Sequence, residues 1–485
     1  MLAFQKHKSP LFFGLLSLPS TAMGFALSVQ IAALSWLLTT KYNLDIYEIG
    51  LVWAAGPLTG IFGQIIIGGL SDKSWFWGGR RRPFILIGGV LASLSMLALP
   101  QIGVISSAMG FESVVGIALI VVVTLDFSIN VGFNPTRSII ADVTEEGSER
   151  IKGYTWMQTV SGSLGVGAYA IGAIWGNMLL IYVGVIGVFL MACLPPLFIE
   201  EPREIAVTDD EGTSDRSWLE LLLSIRPLWG FLAYSLYSIG LKLLGIKVEN
   251  FYAEIIFGAL TIFLVAQTLL KKVDAQDTSG MGQFQKVLAA HSFSWIGIHT
   301  TFVYMIFFIR QYFPELSVDD SGRVTSLSFL ILNAVGALLP LFVLGPLSHR
   351  FGKVKAHSGA LFVMGAGYVA AYFLGNQLVT VYFLMAVIGV GWASIVSLPF
   401  AIMSQKVDST QMGMFMGLFN LSVVLPQLTV SLGVAALVSQ LDDKGSIWMI
   451  SAVAILLSAV AWLRVDDDRH DVSEEAPLPA GSGGH

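Results

Sequence analysis

Apolar residues in this chain run in long, nearly unbroken stretches, without the strict alternation of a half-buried strand. A bilayer core about 30 Å thick is crossed by a helix of roughly 20 mostly apolar residues. Stretches of that size fall at 9–40, 49–71, 83–111 and 113–141, the last interrupted by Asp126 and Arg137. Residues 153–199 and 356–405 are each long enough for two helices, with turns expected near Gly176-Asn177 and Gly375-Asn376. Residues 287–309, 324–349, 409–441 and 445–463 add four more, and two weaker candidates lie near 219–241 and 250–270. The pattern predicts about fourteen spans, ordered six, two, six. Continuous apolarity favours helices over an outer-membrane barrel, whose strands alternate over about ten residues.

Composition narrows the class further. Of 485 residues 55% are hydrophobic and 12% charged, against roughly 25% charged in ordinary soluble domains. A chain of this length with so little polar surface cannot cover a water-soluble core. A soluble enzyme, a nucleic-acid binder and a disordered scaffold are thereby excluded. The one cysteine, Cys193, excludes a disulfide framework and a four-cysteine metal site, and no histidine pair has metal-ligand spacing. An all-α integral membrane protein remains, with neither metal nor organic cofactor expected and the lipid bilayer as its surroundings.

The distribution of charge sets the orientation. Lys6 and Lys8 precede the first span, which is too long for a signal-peptide core. With the N-terminus inside and fourteen spans, only Lys41, Lys242, Lys247, Arg310, Arg323 and Lys444 of the 27 basic residues fall on outer loops. That satisfies the positive-inside rule, whereas a single inserted helix would invert everything after it. Both termini are expected in the cytoplasm and the chain in the cell (inner) membrane. The acidic runs 200–215 and 466–475 read as a solvated linker and tail.

The chain also repeats itself. Gly68-Gly69-Leu70-Ser71-Asp72-Lys73 is followed by Gly79-Arg80-Arg81-Arg82-Pro83, and Gly345-Pro346-Leu347-Ser348-His349-Arg350 by Phe351-Gly352-Lys353. Two six-helix halves, the arrangement of the major facilitator superfamily, account for the repeat, with the two extra helices inserted between them. The division expected is 1–200 for the first bundle, 201–285 for the linker and inserted helices, 286–465 for the second bundle and 466–485 for the tail. Such loops suit a latch at the inner gate, with Asp72 accepting from a helix N-terminus or an arginine and Arg80, Arg81, Arg82 and Arg350 as its cations.

Ionisable residues at mid-membrane are costly and mark function by default. Asp126 lies near the middle of the fourth span. Removal from water favours the protonated form of a carboxylate, the chemistry of a proton-coupling site; a structural hydrogen-bond role is the plainer alternative. Asn130 stands one turn on, along the same face. Arg137 and Asp142 sit toward the inner end of this span, where an interhelical or gating salt bridge is expected. His299 interrupts the seventh span, as a ligand contact, a titrating group or a satisfied packing residue. Recognition of a small polar solute in a water-excluded cavity needs fixed polar groups and aromatic faces; Gln30, Gln64, Asn130, Gln158, Trp295, Tyr304 and Asn420 are candidates, with Asn333, Trp392 and Gln427 in a wider set.

The motifs themselves resemble a known family. Trp53-Ala54-Ala55-Gly56-Pro57-Leu58-Thr59-Gly60, Gln64, Ser71-Asp72 and Arg80-Arg81-Arg82-Pro83-Phe84 are similar to the second span and following loop of sucrose-type transporters, among the glycoside–pentoside–hexuronide:cation symporters. Leu125-Asp126-Phe127-Ser128-Ile129-Asn130 with Pro135-Thr136-Arg137-Ser138 resembles their fourth span, and Ser397-Leu398-Pro399-Phe400-Ala401 with Gly417-Leu418-Phe419-Asn420-Leu421 their tenth and eleventh. The resemblance implies a proton-coupled importer of a maltose- or sucrose-like disaccharide, working as a monomer, with Asp126 carrying the proton and no enzymatic activity. An exporter, or a non-transporting assembly or pigment-handling factor of the same fold, are the alternatives.

Overall fold

The computed structural model describes residues 8–60, 70–71, 74–111, 113–145, 147–202, 218–244, 246, 250–272, 280–407 and 412–467. Its elements are helices in the order six, two, six. The first half comprises α1 (Pro10–Lys41), α2 (Ile46–Trp53, continuing over 55–60), α3 (Arg82–Ala108), α4 (Val114–Val143), α5 (Ser148–Trp175) and α6 (Asn177–Phe198). The inserted pair is α7 (Trp229–Leu243) and α8 (Tyr252–Leu270). The second half comprises α9 (Met281–Tyr312), α10 (Val318–Leu339), α11 (Lys353–Leu374), α12 (Leu378–Met403), α13 (Met412–Thr429, continuing to Gln440) and α14 (Ser446–Trp462). Ten helices among the described residues are long and apolar enough to cross a membrane. By contrast α5 carries many glycines and hydroxyl residues, and α14 is shorter.

Local chemistry explains the boundaries. Ser9 caps α1 by accepting from the Phe12 N–H at 3.3 Å, with Pro10 in the first helical position. Asp45 and Glu48 form a reciprocal capping box at the start of α2. The turn between α5 and α6 is Gly176 alone, at φ +92°, where a side chain would be strained. The first inserted helix starts later than its apolar run predicts. Arg226-Pro227 break that run, a short helix Trp218–Ser224 precedes the break, and α7 begins at Trp229 because proline cannot sit in a helix interior without losing a hydrogen bond.

The two halves meet at the end of the bundle away from the basic loops, here the far end. The Trp36 indole N–H on α1 donates to the Val318 carbonyl at the start of α10, 2.8 Å away. The Asn177 amide donates to the Ala32 carbonyl at 3.1 Å, and its oxygen accepts from the Ser326 hydroxyl of α10 at 2.6 Å. Trp53 of α2 packs edge-on against His299 of α9, ring centres 5.7 Å apart. The closest approach is at Gly50, where a Cβ would stand 2.3 Å from the Ser431 carbonyl and 2.5 Å from the Ala435 methyl on α13. In the same stretch, Val430–Val434, α13 widens into a π turn, a feature frequent at functional sites.

At the basic end Lys8 pairs with Glu149 (3.2 Å) and Arg81 with Asp142 (3.1 Å), both within the first half. Gly50→Val is expected to disfavour the far-end seal by about 1–3 kcal/mol through overpacking. Spin labels at Met109 and Val379, both exposed at that end, will read a longer distance in the variant; an unchanged distance distribution refutes the seal assigned here.

Candidate functional site

The Asp126 carboxyl sits midway along α4, 5% exposed, and faces the backbone of α2: a Cβ on Gly56 would lie 3.3 Å from its Oδ2. Glycine at 56 is therefore what lets α2 and α4 close over a carboxyl group. The polar group facing it is the Gln30 side chain of α1, itself 2% exposed. Asp126 Oδ2 and Gln30 Oε1 are both buried and meet no hydrogen-bond partner among the described residues. Such orphaned atoms at mid-membrane are expensive. Buried polar groups in folded proteins are normally satisfied, so this cluster has unused capacity for a proton or a ligand hydroxyl.

One turn along, Asn130 Nδ2 donates to the Asp126 carbonyl at 2.8 Å and to the Thr59 hydroxyl at 3.4 Å. Gly60 lies beside Asn130 Oδ1 on one side and Val424 of α13 on the other. The carboxyl group, the amide and the glycine-lined wall of α2 thus stand where the two halves approach each other.

Across that approach the second half presents aromatic rings. Trp392 of α12 packs against Phe302 and Trp295 of α9, with ring centres 5.4 and 6.2 Å away, and donates its indole N–H to Asn333 Oδ1 at 3.1 Å. Phe302 meets Phe329, which meets Tyr169 of α5 in the first half at 6.2 Å. Trp295 donates to His291 Nε2 at 3.0 Å, and the His291 imidazole stacks on Phe419 at 4.9 Å. This band offers flat apolar faces with one amide, Asn333, at its centre.

The remaining candidates separate by place. His299 is buried, 3.4 Å from the Ser431 hydroxyl and against Trp53. Tyr304 is fully buried, its hydroxyl donating to the Val430 carbonyl at 3.1 Å. Both are parts of the far-end seal rather than of the space beside Asp126. Asn420 is half-buried next to Phe419, and Gln158 is exposed on α5. Gln64 and Asp72 lie outside the described residues.

The arginines of the second loop are engaged within their own half. Phe76 and Gly79 exchange backbone hydrogen bonds of 3.1 and 3.2 Å across a tight turn with Trp77 and Gly78 at positive φ. The turn aims the chain so that the backbone N–H groups of Arg80, Arg81 and Arg82 all donate to the Glu201 carboxylate, at 2.7, 2.9 and 2.7 Å. A Cβ on Gly79 would come within 2.3 Å of that carboxylate. The side chains of Arg81 and Arg80 reach Asp142 of α4 at 3.1 and 3.6 Å, and Arg81 also donates to Ser71 at 2.7 Å.

Glu201 is thus not part of a solvated acidic linker: it ties α3 to the end of α6 and complements the positive end of α3. Asp466 likewise is held, by hydrogen bonds with Gln283 of α9. Arg137 is exposed with its guanidinium 5.1 Å over the Phe133 ring, and Arg350 is exposed with its guanidinium 5.1 Å over the Phe351 ring.

With this geometry in view, comparison with known proteins is decisive for the family. The family model described as Major Facilitator Superfamily matches residues 16–309, and one described as MFS/sugar transport protein matches residues 267–438. The chain belongs to the major facilitator superfamily. It is a multi-pass membrane protein of a transporter family and not an enzyme.

It is 26% identical to a sucrose transport protein (SUC4) of Arabidopsis thaliana over 446 residues, covering 83% of this chain and 80% of the relative. A general alpha-glucoside permease of Schizosaccharomyces pombe is 33% identical over 144 residues, 26% of each chain. Among solved structures, the xylose transporter XylE of E. coli in an inward open conformation is similar over 94% of this chain and 96% of its own (TM-score 0.61, 16% identity). The peptide transporter PepTSo is similar over 94% and 98% (TM-score 0.65, 11% identity). At these identities the structural likeness speaks for the fold alone.

Glu201→Ala removes the acceptor for three N–H groups at the start of α3. Loss of a helix cap costs about 0.5–2 kcal/mol, so a melting temperature lower by about 1–8 °C is expected for a half of this size. Glu201→Gln, which keeps an acceptor oxygen, restores part of the difference; equal melting of Glu201→Ala and wild type contradicts the clamp.

Proposed function

We propose that this chain is a secondary active transporter that imports a glucoside disaccharide of the maltose or sucrose kind together with a proton. The observation that carries the reading is the buried Asp126 carboxyl, with an orphaned oxygen, on the axis where the two halves approach. The printed names of the relatives point the same way: a sucrose transport protein, an alpha-glucoside permease and, over a shorter stretch, a human proton-associated sugar transporter. In this reading the protein lies in the cell membrane with both termini in the cytoplasm, acts as a monomer and uses the proton in place of any cofactor.

The chemistry follows from the donors and acceptors present. A neutral carboxyl group offers one O–H donor and acceptor capacity, and an amide side chain has both complements. Gln30 supplies that complement to a protonated Asp126. An ionised Asp126 is an acceptor only, so losing the proton ends its donation to the Gln30 oxygen and leaves it accepting from the Gln30 amide N–H, a change of contact that biases the halves toward a different arrangement. Asn130 is held in place by its bonds to the Asp126 carbonyl and Thr59, which fixes its amide one turn from the carboxyl group. The aromatic band of Trp295, Phe302 and Trp392 supplies faces for the C–H surface of a pyranose ring, and Asn333 fixes its rotation. One charge moved across 100 mV is worth about 2.3 kcal/mol, enough for accumulation against a concentration ratio of tens-fold.

The test is uptake of labelled maltose and sucrose by proteoliposomes under an imposed pH gradient. Accumulation that collapses with a protonophore is expected for wild type. Asp126→Asn will retain sugar exchange but lose gradient-driven accumulation; undiminished accumulation overturns the coupling role. Trp392→Ala is expected to raise KM about tenfold, the equivalent of roughly 1.4 kcal/mol of lost binding. If no glucoside in a broad panel is accumulated or exchanged, the sugar assignment fails.

A further inference from the structure

The inserted hairpin encloses a cavity that the transport reading does not use. Helices α7 and α8 pack tightly on each other at one point: a Cβ on Gly230 would fall 2.1 Å from the Thr261 hydroxyl. Away from that point they stand off from α9 and α13 and enclose about 420 Å³, within the usual range of ligand pockets. The walls are apolar, formed by Phe231 and Phe257 of the hairpin, Phe293 of α9, and Val434 and Leu437 of α13.

Among the described residues that line this space, Glu254 is the charged one. Glu254, in the first turn of α8, accepts a hydrogen bond from the Tyr234 hydroxyl at 3.2 Å through Oε1. Its Oε2 is buried and meets no hydrogen-bond donor among the described residues. The nearby ammonium of Lys242 is placed over the Tyr47 ring, 4.1 Å from its centre. Tyr234 cannot swing away freely, since its hydroxyl lies against Gly433 in the π turn of α13, 2.7 Å from where a Cβ would be.

We propose that this cavity is a lipid site that takes an acyl chain of a phosphatidylethanolamine, with the lipid ammonium on Glu254 Oε2. The apolar walls match a hydrocarbon chain. Ile255 and Ile262 on the rim of the cavity, and Ile256 and Phe263 beside them on α8, are exposed apolar side chains, so the cavity opens to the hydrocarbon layer rather than to water. The orphaned carboxylate oxygen calls for a cation that can donate a hydrogen bond. A primary ammonium does so, whereas a choline headgroup has no N–H to give. Charge and hydrogen bond together set the headgroup, and cavity shape sets the chain.

The test uses the full chain in nanodiscs of equal parts phosphatidylcholine and phosphatidylethanolamine, released into detergent and weighed by native mass spectrometry. Wild type will retain phosphatidylethanolamine in preference to phosphatidylcholine by about tenfold, the ratio that one hydrogen bond to a charged group supports. Glu254→Gln, close to isosteric, will lose the preference. Gly258→Leu will lose the bound lipid, because Gly258 lines the cavity and has open space where a side chain would grow. Both variants should be monodisperse with near-normal melting. Equal retention of the two lipids by wild type, an undiminished preference in Glu254→Gln, or undiminished lipid in Gly258→Leu each overturns the proposal.

Discussion

Two helical bundles in a membrane have no hydrophobic incentive to adhere, because lipid tails are as apolar as the side chains they would touch. What holds the halves of this chain together is close approach through small residues, supplemented by a few hydrogen bonds. Gly50 brings α2 against the backbone of α13. Asn177 and Ser326 link α6 with α10, and Trp36 links α1 with the start of α10. Each such contact is modest, and a seal made of modest contacts can be opened by an event of a few kcal/mol. Among the described residues these hydrogen bonds between the halves lie at the far end, so the same two bundles can lean apart or together without either losing its own core.

Within each half the constraint is different, because there polar groups must be satisfied locally. The first half meets it at the basic end with a single carboxylate. Glu201 gathers three backbone N–H groups of α3 while Asp142 holds the arginine side chains above them. The second half repeats the arrangement in outline. A Cβ on Gly352, before α11, would collide with the Asp467 carboxylate at the end of α14, as one on Gly79 would with Glu201. In both halves an acidic residue beyond the sixth helix comes to the start of the third. The loop repeat in the sequence is accompanied by this shared placement of a carboxylate, which in the first half is a hydrogen-bonded clamp.

Much of the fold was legible in the chain because hydropathy along a membrane helix is a one-dimensional signal. The order six, two, six, the turn at Gly176 and the mid-span position of Asp126 all follow from it. Pairing across helices is not written in one dimension. Nothing near Gln30 signals that it faces Asp126, and nothing near Tyr304 or His299 distinguishes a seal residue from a cavity residue. Glu201 was missed for a related reason: among the acids of 200–215 it looks like any solvated charge, and only the turn at Phe76–Gly79 reveals its partners. The late start of α7 was legible in Arg226-Pro227, a local rule outweighed by the length of the apolar run. Gly56, which lets α2 lie over the carboxyl group, stands in the motif 53–60, but its packing role is set by a helix far away in the chain.

The π turn of α13 stands where Gly50, Tyr304 and Tyr234 converge on one strip of backbone. Such a turn holds one more residue than an α turn, so the helix carries a spare residue at this level. If that surplus passes along the helix, the segment it crosses rotates by about 100° per residue while keeping its hydrogen-bonded continuity. The strip therefore behaves like a bearing with built-in slack: α13 can present a different face to α2 on one side and to the inserted hairpin on the other. A groove facing lipid and a seam facing the transport path are thereby geared to the same rotation.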